Sequence, residues 1–323
     1  MHRCADLRVL FRAAAGPRRG YGHLVRCISL ARAMGVRPLL SLRGSRHVVK
    51  TALSLGADVL TEASARSIVA LAPDIVVVDD PIASAARRWI AAARRVGAVV
   101  VTIHDLGIGE AGGDVVIDGS VTRHSRPRAG RVGVAGARYA VLPPAPAGRQ
   151  PRASGDGRRV LVALGGGPRR TTALAIAEAI SATDPRAEVR IAGGFSALPA
   201  SSARNITWIA PVRGLGRELS MATVAVVGGG VSLYEACAAG VPSVAVPVVR
   251  SQVPTVRAFA RRGAALGMPF SASEGRTAAA VVALLDDPRR RAVIQRRALR
   301  LVDGRGASRA AAAVLAFVGR RLS

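Results

Sequence analysis

Short runs of apolar residues alternate with longer, Ala-rich amphipathic segments in the first half of the chain. The apolar runs predict strands at residues 7–11, 38–42, 75–78 and 98–103. The longer segments predict helices, for example at residues 24–34 and 83–96. Because strands that alternate with helices form right-handed βαβ units, this half is predicted to be a doubly wound parallel sheet.

The same alternation restarts after a break that is rich in Pro, Gly and polar residues, between residues 142 and 157. Such a composition is typical of a linker. Strands are predicted at residues 159–164, 188–191, 205–209, 223–227 and 243–246, and helices at 172–181, 231–239, 276–285, 289–302 and 307–321. We therefore expect two α/β domains, residues 1–150 and 151–323, that face a cleft into which the carboxyl ends of the strands point.

The composition limits which residues can form the core, and the net charge bears on which partners the protein could bind. Half of the residues are apolar but only 3% are aromatic, so the core must be built from Ala, Val and Leu. The formal net charge of +27 suggests nucleic acid. The basic residues, however, are almost all Arg, they are scattered, and aromatic residues that could stack on bases are scarce. We therefore expect no nucleic-acid partner, whereas anionic substrates and a peripheral contact with an anionic membrane surface stay compatible with the charge.

Three widely spaced cysteines, Cys4, Cys27 and Cys237, argue against a disulfide framework and for a reducing compartment. No apolar run reaches the roughly 20 residues that a membrane-spanning helix needs, and the N-terminus lacks the apolar segment of a signal peptide. We expect a cytoplasmic protein, and we expect it to be a monomer.

The strongest local motif is a buried strand that runs into Gly228-Gly229-Gly230 and continues directly as a helix containing Val231, Ser232 and Glu235. Glycine lets a ligand approach the backbone, and a helix N-terminus presents free N–H groups, which suits phosphate. Glu235 lies about one turn further on, where a carboxylate can accept hydrogen bonds from a ribose diol. The alternative is a tight turn followed by a solvated Glu.

Two further glycine-rich segments follow predicted strands. Gly165-Gly166-Gly167 offers N–H groups to a diphosphate or sugar, although it lacks the Gly-Lys-Ser/Thr ending of a Walker A loop. Gly20-Tyr21-Gly22-His23 opens the first helix, and a helix N-terminus keeps an imidazole neutral and able to act as a general base. The alternatives are a plain turn for the first segment and a capping or phosphate-binding histidine for the second.

Acidic residues follow two strands whose ends lie at the same predicted sheet edge as His23. Asp79 and Asp80 follow one of them, and His104-Asp105 follows the other. Capping of the next helix is as good an explanation as catalysis for Asp80. No cluster has metal-ligand spacing, so we expect neither a metal nor another cofactor.

Together these residues resemble the UDP-sugar hydrolases of pseudaminic-acid biosynthesis and the related spore-coat polysaccharide proteins (the PseG/SpsG type). The segment from Gly20 to Ala31 matches the family pattern Gly-x-Gly-His-x-x-Arg-x-x-x-Leu-Ala, and the segment from Gly229 to Ser243 matches its nucleotide-binding signature. The second motif is shared with MurG-like glycosyltransferases. The resemblance implies the GT-B architecture, with two Rossmann-like domains.

The resemblance also implies roles. UDP would lie on the C-terminal domain, with Glu235 on the ribose, uracil near Trp208-Ile209, and Gln252 at a position that the family shares. His23 would activate water at the anomeric carbon of a diacetamido-trideoxyhexose, with Asp79 and Asp105 as acidic partners and Arg26 stabilising the leaving group. This chain has Asp79-Asp80-Pro81 where the family has Asp-His-Tyr, a departure that bears on the sugar specificity and on hydrolysis itself. The alternative functions are a glycosyltransferase that uses a UDP-sugar donor and a non-catalytic nucleotide-sugar binder.

Overall fold

The structure is a computed structural model that describes residues 7–16, 20–60, 64, 67–104, 112–122, 132–144, 157–165, 169–193, 204–210 and 214–322. The chain divides into two compact units. Unit 1 comprises Met1–Pro143 together with Arg305–Ser323, and unit 2 comprises Pro144–Gly304.

Unit 1 contains a parallel sheet of seven strands in the order β3-β2-β1-β4-β5-β6-β7. The strands are β1 (Val9–Ala14), β2 (Leu39–Arg43), β3 (Asp58–Leu60), β4 (Ile75–Asp79), β5 (Val99–His104), β6 (Val115–Asp118) and β7 (Val132–Ala135). The helices between them are α1 (Gly22–Ala33), α2 (Arg46–Ser54), α3 (Ser67–Leu71) and α4 (Ala83–Arg95), and a 3-10 helix covers Ala137–Tyr139.

Each face of this sheet has its own core, because successive side chains of a strand point to opposite faces. Phe11 and Val77 pack with Leu24 and Leu30 of α1 on one face. Leu10, Val76 and Val78 pack with Trp89 of α4 on the other. Strands that are buried on both faces have continuous apolar sequences, and for this reason they could be predicted from the sequence.

Unit 2 contains a parallel sheet of six strands in the order β10-β9-β8-β11-β12-β13. Its strands are β8 (Arg159–Ala163), β9 (Glu188–Ala192), β10 (Ile206–Ile209), β11 (Val224–Gly228), β12 (Ser243–Val246) and β13 (Leu266–Gly267). Its helices are α5 (Arg170–Thr183), α6 (Gly216–Met221), α7 (Val231–Ala238), α8 (Val253–Arg261), α9 (Glu274–Asp286) and α10 (Pro288–Leu301), and a 3-10 helix covers Arg250–Gln252.

The last helix, α11 (Gly306–Leu322), belongs to unit 1 and packs on α1, β6 and β7. The sequence-based division placed these residues in the second domain, so the structure corrects it. The reason is an apolar stripe at helical spacing, which completes the core on the α1 face of unit 1. It is formed by Ala307, Ala310, Ala311, Val314 and Val318. The first segment of unit 1 ends at Pro143 and unit 2 begins at Pro144, whereas the sequence placed this boundary at residue 150.

The two parallel α/β sheets confirm the predicted fold class. The sequence missed the short elements β3, α3, α6 and β13, and it left α2, α8, β6 and β7 unassigned. Within the residues described above, no helix combines the length and the apolar character that crossing a bilayer would require.

Candidate functional site

The turn between β11 and α7 is held in close contact with its neighbours. A Cβ on Gly229 would lie 2.7 Å from Cγ2 of Val256, and a Cβ on Gly228 would lie 3.0 Å from the carbonyl oxygen of Leu164. Gly230 is the N-cap of α7, and no side chain caps this helix. The first-turn N–H groups at Val231 and Ser232, both half-buried, therefore face the position where an anion would bind.

Gln252 fixes the shape of this turn. Its Oε1 accepts hydrogen bonds from the backbone N–H of Gly229, at 3.2 Å, and of Val248, at 2.9 Å. The side chain thus ties the glycine turn to the segment that follows β12. Its amide nitrogen, Nε2, lies 3.5 Å from where a Cβ on Gly230 would be. The structure gives Gln252 a role in positioning this turn, and its predicted contact with substrate stays a prediction.

Glu235 lies in the second turn of α7, four residues after Val231, which corresponds to a rise of about 6 Å along the helix axis. The residue as a whole is half-buried, and burial raises the pKa of its carboxyl group to about 7. No hydrogen bond or ion pair to this side chain occurs among the residues that the structure describes. A partly buried acceptor one turn from an uncapped helix N-terminus matches the spacing of ribose and diphosphate in a nucleotide.

The second glycine segment lies at the carboxyl end of β8, where the structure describes Gly165, with a φ of 97°. The predicted residues Gly166 and Gly167 lie outside the described ranges. Arg170 begins α5 just after this segment, and its Nη2 donates to the carbonyl oxygen of Gly193, at 2.9 Å. Arg170 therefore brings a cation to this sheet edge.

Trp208 and Ile209 end β10 at the same edge. The Trp208 ring packs partly buried against the core of unit 2, with the guanidinium of Arg170 at 5.9 Å from its centroid. Its indole N–H is buried with no partner among the described residues. The carbonyl oxygen of Ile209 accepts from the N–H of Gly193, at 3.0 Å. The tryptophan packs against the core at this edge, and the binding of uracil near Trp208-Ile209 stays a prediction.

In unit 1, His23 and Asp79 form a hydrogen-bonded pair. His23 is the second residue of α1, and Asp79 is the last residue of β4, which lies beside β1. His23 Nδ1 lies 2.8 Å from Asp79 Oδ1. Nη2 of Arg26 lies 2.9 Å from the same His23 Nδ1. In the tautomer that carries its proton on Nδ1, His23 donates to the Asp79 carboxylate and keeps a lone pair on Nε2; in the other tautomer, Nδ1 accepts from Arg26. Asp105, the other predicted acidic partner, lies outside the described residues.

Arg26, one turn after His23, completes this group. Its Nε donates to Asp79 Oδ2, at 2.9 Å, and its Nη2 donates to Asp79 Oδ1, at 2.7 Å. Burial on its own would raise the pKa of Asp79, but Arg26 and then His23 outweigh it and hold that pKa below its ordinary value. Arg26 is buried against Asp79, which differs from the predicted role at a leaving group. Its charge keeps Asp79 ionised beside His23.

The other predicted residues of this segment shape its backbone. Gly20, with a φ of 77°, forms a two-hydrogen-bond bridge with Gly16. Tyr21 is the N-cap of α1 and packs against the α1-face core, and Gly22 is the first helical residue. Burial raises the pKa of Tyr21, against a smaller opposing effect of its hydrogen bond with Thr51. The segment therefore presents His23 at the start of the helix.

Asp80 belongs to a separate cluster on the α4 face. Its buried carboxylate accepts from Arg12 Nε, at 3.2 Å, from Arg43 Nη2, at 2.5 Å, and from the N–H of Ile82, at 3.0 Å. The guanidinium of Arg12 also lies 5.1 Å from the Trp89 ring centroid. Asp80 thus anchors the loop before α4 and neutralises the buried Arg12 and the half-buried Arg43. Helix capping, the alternative considered from the sequence, is close to this role, although Ile82 is the N-cap.

Groups of three or more His, Cys, Asp or Glu side chains that could hold a metal ion are absent from the described part of the chain. Unit 1 offers a His–Asp pair, and unit 2 offers an uncapped helix N-terminus with a carboxyl group in its second turn.

Comparison with known proteins identifies the fold. No family model matches the sequence, and no curated protein matches it. Among solved structures, the spinosyn forosaminyltransferase SpnP is 16% identical, with a TM-score of 0.68 over 98% of this chain and 100% of that chain. The glycosyltransferase VinC, solved in complex with dTDP, is 15% identical, with a TM-score of 0.66 over 97% of this chain and 100% of that chain.

A third similar structure is described as a UDP-N-acetylglucosamine 2-epimerase from Listeria monocytogenes, at 12% identity and a TM-score of 0.62, covering 98% of both chains. At such identities the likeness shows the fold alone. The protein has the GT-B architecture of two Rossmann-like units, as the sequence predicted. The narrower resemblance to pseudaminic-acid pathway hydrolases stays a prediction.

Proposed function

We propose that the protein is a glycosyltransferase that uses a nucleoside-diphosphate sugar as donor. The observation that carries this proposal is the His23–Asp79 pair, at 2.8 Å, because it prepares a base for an attacking hydroxyl group. The donor class is supported by the uncapped start of α7 with Glu235 one turn further on. It is also supported by the similar structures, which are mainly named as glycosyltransferases.

In this reaction, Nε2 of His23 takes the proton of an acceptor hydroxyl as its oxygen attacks the anomeric carbon. The bond between that carbon and the β-phosphate oxygen breaks, and the nucleoside diphosphate leaves. Asp79 stabilises the imidazolium that forms, and Arg26 keeps Asp79 ionised. In unit 2, the N–H groups and the positive dipole end of α7 are suited to stabilise the charge of a bound nucleoside diphosphate.

Hydrolysis is the second candidate, because the segment from Gly20 to Arg26 resembles that of the UDP-sugar hydrolases. The same base would then act on water. Incubation of the protein with UDP- and dTDP-sugars in ¹⁸O water, with and without a panel of phenol and sugar-alcohol acceptors, separates the two. Transfer yields a glycoside and releases nucleotide only when an acceptor is present. Acceptor-independent release of ¹⁸O-labelled sugar would instead establish hydrolysis.

The base is tested by His23→Ala and Asp79→Asn. We expect each to lower turnover by about 10²- to 10⁴-fold, which is the typical contribution of a positioned base, while donor binding is retained. His47→Ala, which changes an exposed histidine on α2, serves as the matched control and should keep full activity. Unchanged turnover in the His23→Ala variant would remove His23 from the mechanism.

A further inference from the structure

Unit 2 carries a cavity of about 800 Å³ that none of the predicted site residues lines. Helix α8 forms one wall, and the segment after β13 forms the other. Val253, Val256 and Met268 are among the apolar side chains that line it, and Arg250 and Arg257 are the charged ones. The cavity is therefore an apolar recess with two cations.

Exposed apolar side chains occur at this cavity. Phe270, which lines it, is 45% exposed, and Val249, which precedes Arg250, is 36% exposed. Among the described residues, the other two large hydrophobic side chains with comparable exposure, Leu53 and Val69, belong to unit 1. Exposed apolar groups that gather at one recess mark a surface that contacts another apolar phase or molecule.

The charged residues that line the cavity are both arginines. No Asp or Glu occurs between Glu235 and Glu274, whereas that stretch contains Arg250, Arg257, Arg261 and Arg262. The guanidinium of Arg250 lies 5.3 Å from the ring centroid of Phe270. In the part of the chain that the structure describes, neither Arg250 nor Arg257 is paired with a carboxylate. Two cations without acidic neighbours beside an aromatic ring attract an anionic, partly apolar partner.

We propose that this surface, formed by Val249, Arg250, Arg257 and Phe270, binds unit 2 to an anionic lipid membrane. The lipid phosphate lies between the two guanidinium groups, and Phe270 and Val249 enter the boundary between headgroups and acyl chains. A soluble anion would use the arginines but would gain nothing from the exposed ring and valine. A lipid surface uses both, because basic residues near it and apolar side chains inserted into it add to the binding free energy.

The test is co-sedimentation of the full chain with sucrose-loaded vesicles. Vesicles that contain phosphatidylglycerol should bind the protein, whereas pure phosphatidylcholine vesicles should bind it far more weakly. One basic residue near an anionic surface contributes about 1 kcal/mol, or about fivefold in partitioning. Arg250→Ala/Arg257→Ala should therefore lower partitioning about 25-fold. The control Arg289→Ala/Arg296→Ala removes the same charge from exposed positions of α10 and should lower it less than about twofold.

The apolar contribution is tested by Phe270→Ser against Leu53→Ser, which changes an exposed leucine in unit 1. Only the first should weaken vesicle binding. Three results would overturn the proposal: equal losses in both arginine pairs, no preference for phosphatidylglycerol, or complete displacement from the vesicles by inorganic phosphate at constant ionic strength. The last would identify a soluble-anion pocket. The His23→Ala variant should bind vesicles like the unchanged protein, so this test is independent of the proposed reaction.

Discussion

Asp79 and Asp80 are adjacent in the chain, yet their carboxylates lie on opposite faces of the sheet of unit 1. Alternation along β4 places Asp79 with Ile75 and Val77 on the α1 face, where His23 and Arg26 are. Asp80 follows on the α4 face, between Arg12 and Arg43. The first carboxylate therefore contacts the proposed base, and the second pairs with one buried and one half-buried arginine.

Glu235 is the residue whose titration reports on the donor site. Because burial raises its pKa to about 7, the carboxyl group of the free protein takes up a proton as the pH falls through 7. Ribose hydroxyls donate better to the ionised form. The affinity for UDP-glucose or dTDP-glucose should therefore fall by up to about tenfold between pH 8 and pH 6.

Calorimetric titration of these sugar nucleotides across that pH range measures the effect, because their diphosphates stay ionised. The variant Glu235→Gln should bind weakly at every pH, and Glu178→Gln, which changes an exposed glutamate of α5, should keep the normal profile.

The stability of the unliganded protein should depend on pH in the opposite direction from the affinity. A raised pKa adds stability below the ordinary pKa of Glu, and this contribution is lost as the pH rises through about 7. A flat affinity profile in the unchanged protein would contradict the role.

The sequence indicated the residue types of both sites, but it could not show their partners. A histidine at a helix start and an aspartate after a strand were visible from spacing. That Arg26 is buried against Asp79 depends on side-chain directions across two elements, which local patterns do not encode. Likewise, nothing in the sequence shows that Gln252 would hold the N–H of Gly229 rather than face a ligand.

At the scale of elements, two glycines of the turn from β11 to α7 are expected to have different roles. Gly229 is needed for packing, and Gly230 for binding of the diphosphate. Gly229→Ala should lower the stability of unit 2 by about 1–3 kcal/mol, because its Cβ would lie 2.7 Å from Val256 Cγ2 and 2.9 Å from Gln252 Cβ. Gly230→Ala has its nearest neighbour at 3.5 Å, so it should change stability by less than about 0.5 kcal/mol.

Urea unfolding measures these changes, and titration with UDP-glucose gives the second readout. Gly230→Ala should bind the sugar nucleotide at least about tenfold more weakly despite its normal stability, because the added methyl lies where the diphosphate approaches the helix. Normal binding by a stable Gly230→Ala variant would mean that the diphosphate lies elsewhere.

The long elements were predictable because strands buried on both faces and Ala-rich helices give strong, continuous patterns. β1 and α1 are each displaced by about two residues from their predicted positions. The short strands β3 and β13, of three and two residues, carry too few positions for any pattern to emerge. They form because each one pairs with a neighbouring strand through backbone hydrogen bonds, β3 with β2 and β13 with β12. Such pairing depends on the tertiary structure.

At the scale of the whole molecule, the repeated alternation was sufficient to predict two Rossmann-like units, but it could not assign α11. Its apolar stripe would suit either core. Only the three-dimensional structure shows that Ala310, Ala311 and Val314 pack in unit 1. The first turn also passes so close to Ala140 that a Cβ on Gly306 would lie 2.1 Å from its carbonyl oxygen.

Deleting residues 305–323 should therefore destabilise unit 1 by at least about 5 kcal/mol and spare unit 2, because five buried side chains are lost. Hydrogen exchange should show loss of protection in β1 and β6 but not in β8 and β11. As a milder change, Val314→Ala should cost about 2 kcal/mol, whereas Val69→Ala, at a 67% exposed position, should cost almost nothing. Equal loss of protection in both units would contradict this assignment.

The return of α11 to unit 1 has a consequence for synthesis. During translation, residues 1–143 emerge first, but the helix that closes their core is made only after all of unit 2. At typical elongation rates this delay is roughly 10–30 s. Throughout it, the side of α1 and β6 that α11 will cover is exposed on the ribosome, so the first unit to be made is the last to be completed. We expect a nascent chain of this protein to hold a folded unit 2 before a closed unit 1, and to need protection of that apolar face until then.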